Sequence, residues 1–133
     1  MNGAAATEGV VTGKVRLWLR AEGLAVLVLS LLFYGRLDLH WWIFFVLLLI
    51  PDLSMAGYLI NPKVGGAAYN LVHNYFAPVA MIAVAVATRS TNLIPYFCIW
   101  TAHIGLDRLL GYGLKYPTSF SKTHLGILGK VSA

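Results

Sequence analysis

Apolar residues fall into four long runs separated by short polar turns. The first covers residues 15–34 and is interrupted early by Arg20 and Glu22. The second covers 40–60 and opens on His40, Trp41 and Trp42, an aromatic belt of the kind found at a membrane interface. The third covers 67–87 and the fourth 93–114. Turns at 35–38, 61–66 and 88–92 carry the Gly, Pro and Asn that break regular structure. Each run is long enough to cross ~30 Å of hydrocarbon, which takes about 20 helical residues. The pattern predicts an all-α fold, an integral membrane four-helix bundle over 15–114. Residues 1–14 read as a flexible tail, and the first run as a retained helix rather than a cleaved signal peptide. Residues 115–133 are too polar to cross and predict a cytoplasmic loop or short interfacial helix punctuated by Pro117, Gly126 and Gly129.

Composition supports this reading. Of 133 residues, 59% are hydrophobic and 11% charged, against about 25% charged in a soluble domain. So little charge cannot cover a water-facing surface. The net charge of +5 raises the question of nucleic acid, but the basic residues form no patch interleaved with aromatics. They sit at the ends of the runs, where they suit topology and anionic headgroups. Lys14, Arg16, Arg20, Lys63, Arg108, Lys115, Lys122 and Lys130 fall on one side, and only Arg36 and Arg89 on the other. The positive-inside rule then puts both termini in the cytoplasm, in an inner (cytoplasmic) membrane crossed several times. The one cysteine, Cys98, permits neither an intrachain disulfide nor a thiolate cluster. Its place is packed in a helix.

Five acidic or imidazole side chains lie at depth inside the runs: Glu22, Asp52, His73, His103 and Asp107. Such groups cost roughly 2.5–3.5 kcal/mol each on insertion scales, so they mark a functional site. With the runs laid antiparallel, Glu22, Asp52, His73 and Asp107 sit ~9–12 Å from the cytoplasmic side, and His103 one turn deeper. His103 and Asp107 are four apart and share a helix face. That spacing suits two ligands on one ion, or a carboxylate orienting an imidazole. Helix bundles build metal sites from inward-facing carboxylates and histidines. Histidine and carboxylate without thiolate suit zinc, manganese or iron, and the number of candidates leaves room for two ions. Asp52, His73, His103 and Asp107 are the expected ligands. Glu22 and His124 are candidates for proton transfer, His124 alternatively for a sixth ligand folded back from the tail. Arg108 and Lys115 are candidates for holding a phosphate or carboxylate.

Plainer roles compete with these. Glu22 can pair with Arg20, Arg108 or Lys63 near the interface. Asp52 can bond Ser54 or Tyr69 in place of a metal, and His73 with Asn74 can form an interhelical hydrogen-bond pair. Arg108 can simply anchor its helix. The alanines of the third run predict close helix packing there.

The segments PDLSMAGY (51–58), YNLVHNY (69–75), HIGLDR (103–108) and GYGLKYP (111–117) resemble a family of small bacterial membrane proteins catalogued as domain of unknown function 4260. The tail FSKTHLG (120–126) resembles the ending of that family. The resemblance covers nearly all of the chain after residue 15 and implies a membrane protein, but no activity. A looser similarity is to membrane-bound metal-dependent hydrolases, which also place Asp and His motifs in short apolar helices. Four functions fit the residues. One is a metal-dependent hydrolase of a lipid-like or amphiphilic substrate. The second is an iron-dependent oxidase or hydroxylase. The third is a metal-free acid/base isomerase or cyclase of a lipid or isoprenoid. The fourth is a proton or metal-ion carrier, which the apolar outer half disfavours. Expected partners are membrane lipid and an amphiphilic small molecule, with no nucleic acid; a homo-oligomer is compatible with the chain.

Overall fold

The computed structural model describes residues 7–129. The first part of the expected N-terminal tail (1–6) and Lys130 lie outside the described residues. The fold is helical. Five α-helices run in order: α1 Gly13–Tyr34, α2 Trp41–Leu47, α3 Pro62–Val72, α4 Phe76–Ala87 and α5 Ile94–Leu110. A 3-10 helix, Ile50–Leu59, continues α2, and a two-stranded hairpin, β1 Lys122–Thr123 with β2 Gly126–Ile127, follows α5.

Two helical stretches, Gly13–Tyr34 and Trp41–Leu59, are long and apolar enough to cross a membrane. The pair α3 and α4, bent by 40°, makes a third if counted as one span. Large apolar side chains stand exposed on their outer faces, among them Leu17, Trp18, Leu29, Phe45, Leu53 and Phe76. On a membrane protein that exposure is what lipid covers.

Proline positions set the irregularities. Pro51 has no N–H and cannot donate to Leu47, so the α-helical ladder stops there. The chain tightens into 3-10 pairing, and the Asp52 N–H reaches Leu49 at 3.2 Å. The Leu48 carbonyl is thereby released from the i+4 bond it would make in an α-helix. The third run, expected to be continuous, breaks at residues 73–75 for the same reason. Pro78 cannot donate to Asn74, and the Asn74 side chain takes over. Its Nδ2 donates to Asn70 and Leu71 carbonyls at 2.8 Å, and its Oδ1 accepts from Ala77 N–H at 2.9 Å. The helix α3 itself opens on Asn61, whose Oδ1 accepts from Val64 N–H, followed by Pro62.

The core at one end is Tyr34, Phe44, Ile99 and Ala102, with Trp41 tilted on Tyr34 at 5.1 Å. Toward the other end α1 packs chiefly on α5. Gly23 and Gly105 make that crossing, since a Cβ on Gly105 would stand 2.8 Å from the Gly23 carbonyl oxygen. The third run also makes the close approach expected of its small residues, since a Cβ on Gly57 would stand 3.1 Å from Gly65 Cα and 3.2 Å from Ala68 Cβ, although of Ala67, Ala68, Ala77, Ala80, Ala83, Ala85 and Ala87 only Ala85 is buried.

The helix α5 ends earlier than the apolar run does. Gly111 turns left-handed at φ 90°, and the Tyr112 N–H closes on the Asp107 carbonyl at 2.7 Å. The tail then folds back as the hairpin rather than as an interfacial helix. Its turn residue Leu125 is fully buried, and Arg16 and Arg20 of α1 donate to the carbonyls of Leu125 and Leu109. The segment just before α1 is also tied down: Val11 N–H bonds His124 O, and Tyr116 Oη bonds Gly9 O.

Candidate metal centre

Four of the five membrane-depth groups converge. Asp52 comes from the 3-10 helix, His73 from the break between α3 and α4, and His103 and Asp107 from α5. One donor atom from each lies within 4.8 Å of all the others. The two Nε2 atoms are 3.0 Å apart. Asp52 Oδ1 stands 3.4 Å from each Nε2. Asp107 Oδ2 stands 3.6 Å from His73 Nε2 and 3.3 Å from His103 Nε2. Donor atoms set tetrahedrally around zinc at ~2.0–2.1 Å are about 3.3–3.4 Å apart. Three of these edges have that size, and the other two, at 3.0 and 3.6 Å, fall on either side of it.

Both imidazoles are oriented from behind. His73 Nδ1 meets the Tyr69 carbonyl at 2.9 Å, and His103 Nδ1 meets the Leu48 carbonyl at 2.6 Å. A carbonyl accepts only, so each Nδ1 carries a hydrogen, and in the neutral ring each Nε2 offers a lone pair. The Leu48 carbonyl is the one freed where α2 tightens into the 3-10 helix. Two imidazole lone pairs and two carboxylates thus face a single point. The group can hold a metal ion, and two carboxylates balance a divalent charge.

The surroundings refine the centre. Tyr69 stacks on His73 with ring centroids 3.7 Å apart and donates its hydroxyl to Asp107 Oδ2 at 3.2 Å. Arg108 donates to the His73 carbonyl at 2.7 Å and to the Tyr112 carbonyl at 2.8 Å, fixing the break that carries His73. Three ligands are buried, whereas the Asp52 side chain is 38% exposed. Asp52 and Asp107 line a 190 Å³ cavity with Met55, Tyr69, Tyr112, Lys115, Phe120 and Leu128. Burial holds the Lys115 ammonium below the ordinary lysine range, with Asp107 pulling the other way.

The remaining candidates are placed elsewhere. Glu22 is exposed on α1, apart from the four converging groups. The adjacent Gly23 faces α5, which turns Glu22 about 100° away from the centre. His124 Nδ1 accepts from Leu114 N–H at 2.8 Å and holds the hairpin down. Arg108 serves the backbone around the centre. The plainer partners foreseen for Asp52 are engaged otherwise, since Ser54 donates to the Pro51 carbonyl and Tyr69 to Asp107. Sequence reasoning passed over the roles of Asn74 in the break and Tyr69 behind Asp107. The signal available for Tyr69 was its spacing of four from His73, which stacks the two rings on one helix face.

No curated protein and no solved structure matches the chain, so the looser similarity to metal-dependent hydrolases stands on the Asp and His motifs alone. Residues 16–128, which span α1 to the hairpin and hold all four converging side chains, match the family described as Domain of unknown function (DUF4260), and the chain belongs to it.

Proposed function

We propose that this protein is a zinc-dependent hydrolase of the inner membrane, a four-span bundle with both termini cytoplasmic, acting on an amphiphilic substrate. The observation that carries the reading is the convergence of two bare Nε2 atoms and two carboxylates at tetrahedral spacing. That spacing suits one ion rather than two, and it suits zinc better than an octahedral metal. An ion held there supplies Lewis acidity, polarising a substrate oxygen and making water acidic enough to react near neutral pH.

The protein's own groups divide the remaining work. His73, His103 and Asp107 are buried and oriented from behind, so they hold. Asp52 lies at the cavity wall with part of its side chain exposed, so it would be the ligand that cedes its position to water and accepts that water's proton. Met55, Phe120 and Leu128 give the cavity an apolar wall suited to the acyl or alkyl part of the substrate.

The test is elemental analysis of full-length protein purified in neutral detergent without chelator. About one zinc per chain is expected, and close to none in His103→Ala. Zinc-loaded protein should hydrolyse members of a panel of amphiphilic esters, amides and phosphoesters, and a chelator should stop it. Absence of bound metal in the wild type sinks the reading. Bound iron in place of zinc moves it to an oxidase or hydroxylase.

A further inference from the structure

We propose that the cavity beside the metal centre admits an anionic oxyanion head group, phosphate or carboxylate, on an apolar tail, and that Lys115 holds it. This deepens the hydrolase reading and rests on it.

Charge count comes first. Among the residues lining the cavity, the ionisable groups are Asp52, Asp107 and Lys115. Two carboxylates neutralise a divalent ion, which leaves Lys115 as the one uncompensated charge among the lining side chains. Lys115 is 6% exposed. A buried cation without a counter-ion is costly. Arg108 does not share this role, because its guanidinium donates to two backbone carbonyls and faces the Tyr75 ring, outside the residues that line the cavity.

Hydrogen-bond capacity points the same way. An ammonium has three hydrogens. One goes to the Phe120 carbonyl at 2.6 Å. The nitrogen lies 4.2 Å from the Phe120 ring centroid and 5.1 Å from that of Tyr69, the ring that bonds Asp107. The lysine is also held in place. Asn70 clamps its backbone from both sides, Oδ1 accepting from Lys115 N–H at 2.6 Å and Nδ2 donating to Lys115 O at 2.8 Å. Such fixing of a cation beside a candidate metal site gives an oxyanion two points of attachment.

Size decides how much of the ligand enters. At 190 Å³ the cavity is smaller than the ~300–1,000 Å³ that enclose a whole drug-sized ligand. The head group enters, and the chain leaves past Met55, Phe120 and Leu128 toward the bilayer.

The experiment is calorimetric titration of zinc-loaded, full-length protein in neutral detergent with hexyl phosphate, hexanoate, inorganic phosphate and hexanol. Hexyl phosphate or hexanoate should bind, hexanol should not, and inorganic phosphate should bind at least about tenfold more weakly than hexyl phosphate. Lys115→Met should lose about tenfold or more in affinity for the anionic amphiphiles, with zinc content unchanged. Lys115→Arg should retain binding, which separates loss of charge from loss of fold. Equal affinity in wild type and Lys115→Met, at equal zinc content, overturns the proposal while leaving the metal centre standing. Equal affinity for inorganic and hexyl phosphate overturns the amphiphile part. Failure of the wild type to bind zinc overturns both readings together, because without the ion the cavity carries excess negative charge.

Discussion

His73 and His103 meet Nε2 to Nε2 at 3.0 Å, each with its Nδ1 committed to a backbone carbonyl. With both rings neutral and no ion bound, that contact sets two lone pairs against each other beside two carboxylates. Ion binding should therefore stabilise the folded chain strongly. A ligand at a hundred times its dissociation constant contributes about 2.7 kcal/mol. Thermal unfolding in detergent should shift upward on adding zinc to chelator-treated protein. The shift should vanish in His103→Ala, whose metal-free form should melt close to metal-free wild type or above it. A zinc-induced shift of the same size in both proteins would place the ion elsewhere.

Tyr69 reaches the centre twice, through its ring on His73 and its hydroxyl on Asp107. Tyr69→Phe keeps the stack and removes only the hydroxyl. Groups that orient metal ligands typically contribute 10–100-fold to affinity. Competition against a chromophoric chelator should show zinc affinity lowered by about tenfold or more, with little change in melting temperature of the metal-free protein. Unchanged affinity would reduce Tyr69 to a packing residue.

Much of the centre was legible in the sequence because depth in a membrane can be counted along a helix. Asp52, His73 and Asp107 lie at matching distances from one side, and the four-residue step from His103 to Asp107 fixes a shared face. Depth says nothing about direction around the axis, which is why Glu22 counts to the same level yet points away. Gly23 carried the missing information, since a small residue next to it marks the face pressed on a neighbouring helix. Proline effects were only half legible. Pro51 and Pro78 signal interruption, but which released carbonyl would orient a histidine depends on how α2 and α5 pack. The hairpin at 122–127 was hidden because two-residue strands are too short to show alternation.

Gly23 and Gly105 set the distance between α1 and α5, and α5 carries half the centre together with Arg108. A Cβ on Gly105 would lie 2.8 Å from the Gly23 oxygen and 2.9 Å from the Leu27 nitrogen, both backbone atoms that cannot swing aside. Gly105→Ala should force the helices apart and cost about 1–3 kcal/mol as an overpacked contact. Zinc affinity should fall with it, since His103 and Asp107 flank the displaced residue. Parallel melting and zinc titrations check this. Full retention of both would mean the crossing has slack that the backbone contacts do not suggest.

His124 gives the tail a pH response of defined sign. Burial, and secondarily the positive charge of Arg108, hold its imidazole below the ordinary histidine range. Its Nδ1 accepts the Leu114 N–H, so a proton there would set donor against donor. The docked state thus favours neutral imidazole, whereas the released tail takes up a proton near pH 6.5. Docking is complete above about pH 6.5 and weakens as pH falls through that value, until the lower pKa of the docked form is passed. Exchange protection of the Leu114 amide, corrected for intrinsic rate, should fall by up to about tenfold per pH unit in that window. His124→Asn keeps an acceptor oxygen near the Nδ1 position and removes the titration, so its protection should stay flat with pH. Because the substitution leaves the four converging residues intact, any pH response common to both proteins reports the metal centre. The difference between them reports the hairpin. A His124→Asn profile that tracks the wild type across the window would remove His124 from the account and leave protonation of His73 and His103 as the cause.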